Sequence, residues 1–229
     1  LSVVLGRIRD RHKIEVETEL TRVAYRETIN RPAAADYQHK KQTGGRGQFG
    51  DAWIEIKPLQ RGGGFEFVNN IVGGAIPRQF IPAVEKGIVE TMETGPMGGY
   101  PVTDLQVRLY DGSYHTVDSS EMAFKISGSM GFKKAFMDAR PVILEPIMTM
   151  EITVPSDMVG DVIGDINSRR GKVLGMKPMG ASQIVQAQVP LAEVLSYAIT
   201  LRSITADRGS FSMEFSHYEE LPSHMVEKV

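Results

Sequence analysis

The sequence predicts an α+β protein built from two complete two-layer units, with a partial unit in front. Three observations carry this. Strand-like and helix-like stretches alternate along the chain, so sheets with helices packed on them are expected. From Ile147 onward their order reads βαββαβ, the split, ferredoxin-like plan. The first 30 residues are too few to bury a core of their own, and Leu1 falls inside the apolar run LSVVLGRI, as expected of a piece of a longer protein.

In the opening piece, Leu1 to Arg11 reads as the end of a helix, with Val4, Leu5 and Ile8 at helical spacing. His12 to Arg26 reads as a strand pair or one long strand, through Ile14, Val16, Val23 and Tyr25. With its partner strands absent, this piece is expected to be the least protected part of the chain. The next unit spans 31–146. Tyr37–Gln42 and Asp51–Pro58 are strand candidates around a glycine-rich turn, the second with Ile54 and Ile56 on its inner face. A turn at Arg61–Gly64 precedes a strand over Phe65–Ile71. Pro77–Thr94 is the clearest helix: Pro77 suits its first position, and Phe80, Val84, Ile88 and Met92 form a stripe. Gly95-Pro96 stops it. A strand follows over Val102–Tyr110, then a loop over Asp111–Val117. Asp118 and Glu121 form a capping-box pattern for a helix running to Asp138, with Met122, Ile126 and Met130 predicted to face inward. The small residues Ser127, Gly128, Ser129 and Gly131 are expected to permit close packing on a sheet.

The last unit spans 147–229. Met148, Met150, Ile152 and Val154 alternate as a strand that Pro155 ends. Ser156 or Asp157 caps a helix carrying Val159, Ile163 and Ile166, with Arg169 and Arg170 in its last turn. Strands over Lys172–Met176 and Ile184–Val189, a helix over Leu191–Ala206 and a strand over Ser210–Tyr218 complete it. Phe211, Met213 and Phe215 mark the buried face of the last strand, and Met148, Met150, Met176 and Met179 read as core.

Composition narrows the function. The 229 residues carry 41% hydrophobic and 24% charged side chains, an ordinary globular balance. A net charge of −2 means that any nucleic-acid attraction must be local. Cysteine is absent, which removes disulfides, thiolate nucleophiles and cysteine metal sites. The sequence has no apolar run of 18 residues and no signal-peptide pattern.

The stretch HKKQTGGRGQFG, His39 to Gly50, concentrates local chemistry. Four glycines surround Arg46 and Gln48, and no acid occurs between Asp36 and Asp51. Lys40, Lys41 and Arg46 supply phosphate attraction, Gln48 offers donors and an acceptor, and glycines allow close backbone approach. Such a tip suits nucleic acid; a glycine-rich hairpin turn with a solvated basic flank fits the same residues. His115, Asp118 and Ser119 include the residue types of a hydrolytic triad, but helix capping accounts for Asp118 and Ser119, and no oxyanion hole is evident.

Taken together, VAYRETI (Val23–Ile29), HKKQTGGRGQFG, Gly73–Pro77, GSYHTVDSSEMAFK (Gly112–Lys125), RPVILEPIM (Arg140–Met148), GDVIGDINSRRG (Gly160–Gly171) and LRSITADRGSFSMEF (Leu201–Phe215) resemble the C-terminal half of the elongation factor G family of ribosomal translocases. The resemblance runs along essentially the whole chain. It implies the end of the family's third domain (1–30), its fourth domain (31–146) and its fifth (147–229). The implied folds are a partial ferredoxin-like remnant, a ribosomal-protein-S5-like domain with a left-handed βαβ crossover, and a ferredoxin-like domain.

By the same resemblance, the tip loops Thr43–Gly50 and Asp111–Val117 enter the small-subunit decoding centre and meet tRNA and mRNA. Gln48 and His115 fall on the family's tip positions, with Lys40, Lys41, Gly44, Gly45, Arg46, Ser113 and Tyr114 beside them. RNA there is read by shape, 2′-hydroxyls and phosphates. Arg169, Arg170 and Lys172 are candidate contacts to ribosomal RNA near the sarcin–ricin loop and stalk base, although compensation of the helix dipole also accounts for the arginines. No G-x-x-x-x-G-K-[ST] pattern occurs, so no GTP binding is expected; GTP and magnesium belong to a domain outside this chain, and the chain is expected to be no enzyme, though the parent is a GTPase. A cytoplasmic monomer bound to no membrane is implied. The alternative is a paralogue specialised for ribosome recycling or ribosome protection.

Overall fold

The computed structural model describes residues 2–14, 22–42, 44, 45 and 47–229. Helix α1 (Ser2–His12) opens the chain. The strand expected between His12 and Arg26 does not form at 13, 14 or 22–25, and its remainder lies outside the described residues. Strand β1 is Arg26–Ile29 instead. It is not left without partners: it pairs antiparallel with the start of a 15-residue strand, β6 (Pro141–Pro155), from Arg26↔Leu144 to Ile29↔Pro141. Glu27, Thr28 and Ile29 are each at most 1% exposed.

The first sheet has the order β2-β3-β5-β4. β2 (Ala33–Lys41) and β3 (Gln48–Pro58) form a long antiparallel hairpin, with Lys41 opposite Gln48 at its end. Both strands begin earlier than their alternation suggested: β2 takes in Ala33–Asp36, where Ala35 is buried, and β3 takes in Gln48–Gly50, where Gly50 is buried. β4 (Phe65–Asn69) runs parallel to β5 (Leu105–Ser113), and α2 (Ile81–Thr94) connects them. β5 begins later than Val102 because Asp104 takes a φ of 59°, and it extends through Ser113, into the stretch expected to be loop. Residues Arg78–Phe80 form a 3-10 turn, so α2 starts at Ile81 and the proline in its first turn is Pro82.

Helix α3 (Glu121–Asp138) covers this sheet and packs on α2. Its N-cap is Ser120, whose Oγ accepts from Ala123 N at 3.2 Å, and not Asp118. Its inner face is Phe124, Gly128, Phe132, Ala135 and Phe136, and the expected Met122 and Met130 are 59% and 40% exposed. Small residues decide this. A side chain at Gly87 of α2 or Gly128 of α3 would collide with backbone of the other helix, so the helices meet there nearly backbone to backbone. Ser127 Oγ donates to Gly50 O at 2.7 Å, tying α3 to the sheet as well.

The second sheet places β6 in the middle, flanked by β8 (Ser182–Pro190) and β9 (Ser210–Glu220), with β7 (Lys172–Met179) beyond β8. α4 (Val159–Ser168), the short α5 (Leu191–Val194) and α6 (Tyr197–Thr205) cover one face, completing the ferredoxin-like order. The helix expected over 191–206 is therefore broken near Leu195. Val162 and Ile166 anchor α4; Ile163 is only partly buried, and no side chain caps the helix. Leu144 pairs with both Arg26 and Glu220, so β1 and β9 lie on opposite edges of β6. β6 runs unbroken through residues 146 and 147. On β9, Phe211 packs partly into the core, while Met213 and Phe215 are 43% and 55% exposed. Met176 and Met179 on edge strand β7 are likewise exposed, whereas Met150 is core.

Candidate nucleic-acid interface

The β2–β3 hairpin and the loop between β5 and α3 end at the same extremity of the first sheet. Pairing along the hairpin extends from Ala33↔Ile56 to Lys41↔Gln48, a ribbon roughly 30 Å long at the rise of an antiparallel strand. The ribbon runs from the core residues Ile54 and Ile56 out to the polar end residues Lys40, Lys41 and Gln48.

Asp118 joins the two loops. Its Oδ1 accepts from Gly47 N at 3.0 Å and its carbonyl from Phe49 N at 2.9 Å. A side chain on Gly47 would sit 2.8 Å from the Asp118 carboxylate carbon, so glycine is what allows the approach. Asp118 N in turn donates to His115 Nδ1 at 3.1 Å, and Val117 N donates to the same nitrogen at 3.3 Å. His115 N donates to Ser119 Oγ at 2.9 Å. With Nδ1 acting as acceptor, a neutral His115 carries its proton on Nε2, which has no partner among the described residues. The side chain is about half exposed, and the Phe49 ring lies 6.3 Å from it. The triad residue types are thus accounted for as a loop clamp.

Gln48 is exposed, and its Oε1 accepts from His39 Nε2 at 2.8 Å. That bond fixes the amide oxygen of Gln48 against its hairpin partner strand. Lys40 and Lys41 are exposed, without an ion-pair partner among the described residues. Gly44 and Gly45 are exposed, and Gly44 has a φ of 58°. Tyr114 is 47% exposed. Ser113 differs: its Oγ donates to Asp51 Oδ2 at 2.7 Å, which makes it a rung between β3 and β5 at the base of the tip. Arg46 lies outside the described residues. The tip therefore gathers Lys40, Lys41, Gly44, Gly45, Gln48, Tyr114 and His115 at one end. Sequence reasoning missed the roles of His39 and Asp118. Three consecutive cap-forming residues, Asp118, Ser119 and Ser120, were the available signal, and only geometry assigns one cap among them.

In the second unit the candidate cations are placed differently. Arg169 is the residue after α4 and Arg170 has a φ of 59°, so neither lies in the helix's last turn. Arg169 donates to Asp165 Oδ2 (2.9 Å), Glu193 O (2.6 Å) and Thr200 Oγ1 (3.0 Å), and its guanidinium lies 5.4 Å from the Tyr197 ring centre. Arg170 makes a bidentate pair with Glu145, at 2.7 and 2.9 Å, and also reaches Glu193 at 2.9 Å. The hydrogen bonds to Glu145 hold the Arg170 guanidinium above its ordinary pKa. Burial, then the Glu145 charge, raises the pKa of the neighbouring Tyr25 phenol. Lys172 is exposed and has no ion-pair partner among the described residues.

Comparisons with known proteins agree along the whole chain. Residues 21–140 match the family described as Elongation factor G, domain IV, and residues 142–229 match Elongation factor G C-terminus. The chain is 55% identical over all 229 residues to an elongation factor G of Aquifex pyrophilus, and spans 33% of that relative's length. A crystal structure from Thermus thermophilus superposes with a TM-score of 0.86 at 43% identity, over 99% of this chain and 34% of the other.

Proposed function

The chain belongs to the elongation factor G family, and from that premise we propose that it is the part of a translocase that reaches the decoding centre while tRNA and mRNA move. One observation carries the proposal: the clamped tip, where Asp118 fixes two loops together and leaves Lys40, Lys41, Gln48 and His115 facing solvent. Donors and cations held on a rigid ribbon suit the phosphates and 2′-hydroxyls of a codon–anticodon helix, which is read by shape more than by sequence. The second unit contacts ribosomal RNA near the sarcin–ricin loop and stalk base through exposed groups such as Lys172. GTP and magnesium act in sequence outside this chain, which carries no P-loop pattern. No described helix is long and apolar enough to cross a membrane. Membership of the family supports reading the protein as a cytoplasmic monomer. The relative matched over the whole chain is an elongation factor G, which favours a translocase over a recycling or protection paralogue.

The test is rapid kinetics on the full-length factor carrying His115→Ala or Gln48→Ala. Translocation is expected to slow while ribosome-stimulated GTP hydrolysis stays near the parent rate. Unchanged movement in both variants, or an equal loss of hydrolysis, overturns the proposal.

A further inference from the structure

Three separate elements meet in a cleft where the two sheets adjoin. Arg26 of β1, the Arg61–Gly64 turn after β3 and the end of β9 around Phe215–Tyr218 line a cavity of about 540 Å³. That size lies within the range of small-ligand sites. The Arg26 and Arg61 side chains have no hydrogen-bond or ion-pair partner among the described residues. The acids nearby are already engaged. Asp104 is 2% exposed, and its Oδ1 accepts from Gly62 N and Gly64 N at 3.1 Å each and from Thr103 Oγ1 at 3.3 Å. Glu219 accepts from His217 Nε2 at 2.9 Å.

The walls are held in place. Arg26 is paired to Leu144, and the next residue is bonded to the 101–103 segment through Glu27 N to Pro101 O (3.0 Å) and Thr103 N to Glu27 O (2.9 Å). Tyr218 donates its hydroxyl to Ala24 O at 2.9 Å. β9 departs from its regular ladder here: His217 pairs with Ile147 and Phe215 with Met148, which leaves Ser216 as the extra residue of a β-bulge. Bulges re-aim side chains and are common beside functional sites. Phe215 is 55% exposed, its ring 5.3 Å from that of Tyr218.

We propose that this cleft binds a single unstacked nucleotide, its base against Phe215 and its phosphate between Arg26 and Arg61. A bare anion would leave the aromatic face unused, and an apolar ligand would cover two guanidiniums without neutralising them. A nucleoside phosphate satisfies both, in the combination of stacking platform and cationic groove that single-stranded nucleic acid requires. The same chemistry is offered by a residue of RNA and by a free nucleoside monophosphate. The inference does not depend on how the tip is used.

Calorimetric titration of the 229-residue chain tests it, with adenosine 5′-monophosphate, adenosine, inorganic phosphate and hexaadenylate RNA as probes. The monophosphate is expected to bind about tenfold more tightly than phosphate or adenosine, as one stacked base contributes. Arg61→Gln, on an exposed turn, is expected to weaken it about fivefold or more, and Phe215→Ala to reduce it to the level of phosphate; unfolding curves matching the parent confirm both variants are folded. Competition of hexaadenylate with the monophosphate identifies RNA as the source, and binding of the monophosphate without such competition identifies a free nucleotide. A Lys40→Gln/Lys41→Gln variant is expected to keep the monophosphate site. The inference is overturned if the monophosphate binds no better than phosphate, if Arg61→Gln and Phe215→Ala both bind as the parent does, or if the lysine variant alone loses binding.

Discussion

Arg169 and Arg170 in the second unit and Lys40 and Lys41 in the first look alike in sequence: a pair of adjacent cations with a glycine no more than three residues further on. In the fold they are opposites. The arginines close a network of Glu145, Asp165, Glu193 and Thr200, with Glu145 only 3% exposed. The lysines stand at the end of a hairpin with no partner ion among the described residues. Planar guanidinium forks can satisfy several acceptors inside a fold, whereas an ammonium on a flexible stem does best in water or on phosphate. A basic dipeptide therefore indicates an RNA contact only when nothing in its own fold consumes the charge.

The sharpest way to break this contrast is Arg170→Ala. It leaves the Glu145 carboxylate buried without its bidentate partner, and is expected to cost about 3–5 kcal/mol in urea unfolding. A loss under about 1 kcal/mol would mean that Arg170 is free to serve RNA after all. Next in size is an alkaline effect. Burial pushes the Tyr197 phenol up to about 12 from its ordinary 10, and its hydroxyl has no hydrogen-bond partner among the described residues. Because the folded state holds this proton more tightly than the unfolded state, the stabilisation is fully present below pH 10. It is lost as pH rises through 12, to a total of about 2–3 kcal/mol. Denaturant midpoints of the parent and Tyr197→Phe, measured from pH 9 to 12, should show a steeper fall for the parent; parallel curves would refute the assignment.

Asp118→Ala probes the tip. Losing the acceptor for Gly47 N is expected to cost about 1 kcal/mol and to speed amide exchange at Gly47 and Phe49. In the full-length factor it should slow translocation by freeing His115 and Gln48 from their shared frame. If exchange at the tip is unchanged, the clamp is not what orders it. His115→Ala and Gln48→Ala should shift stability least, by under about 0.5 kcal/mol, since both are exposed. A larger shift in thermal unfolding would make them structural and blur the contrast with the arginines.

The strand-and-helix order of the second unit was legible because alternation along β6 and β8 and the apolar positions of α4 are set by burial on one face. The tip was legible as a motif, since glycines and uncompensated cations are local features. Side-chain facing on α3 and β9 was not. α3 is apolar on more than one side, and Gly87 and Gly128 select the face that lets two helices touch, a choice made by the partner helix. β9 alternates as a buried strand, yet Met213 and Phe215 stay exposed, and local alternation carries no information on what covers a strand.

By itself the sequence determined the α+β class, the ferredoxin-like order, the glycine-rich tip and the family, because each rests on local pattern or on residues read in register. Only the tertiary structure decided that β1 and β6 pair, that Asp118 clamps two loops and leaves Ser120 as the cap, and that Arg169 and Arg170 face inward. Each of those outcomes depends on which distant group comes within about 3 Å of a donor, and hydrogen bonds fall away too steeply with distance and angle for linear spacing to foretell them.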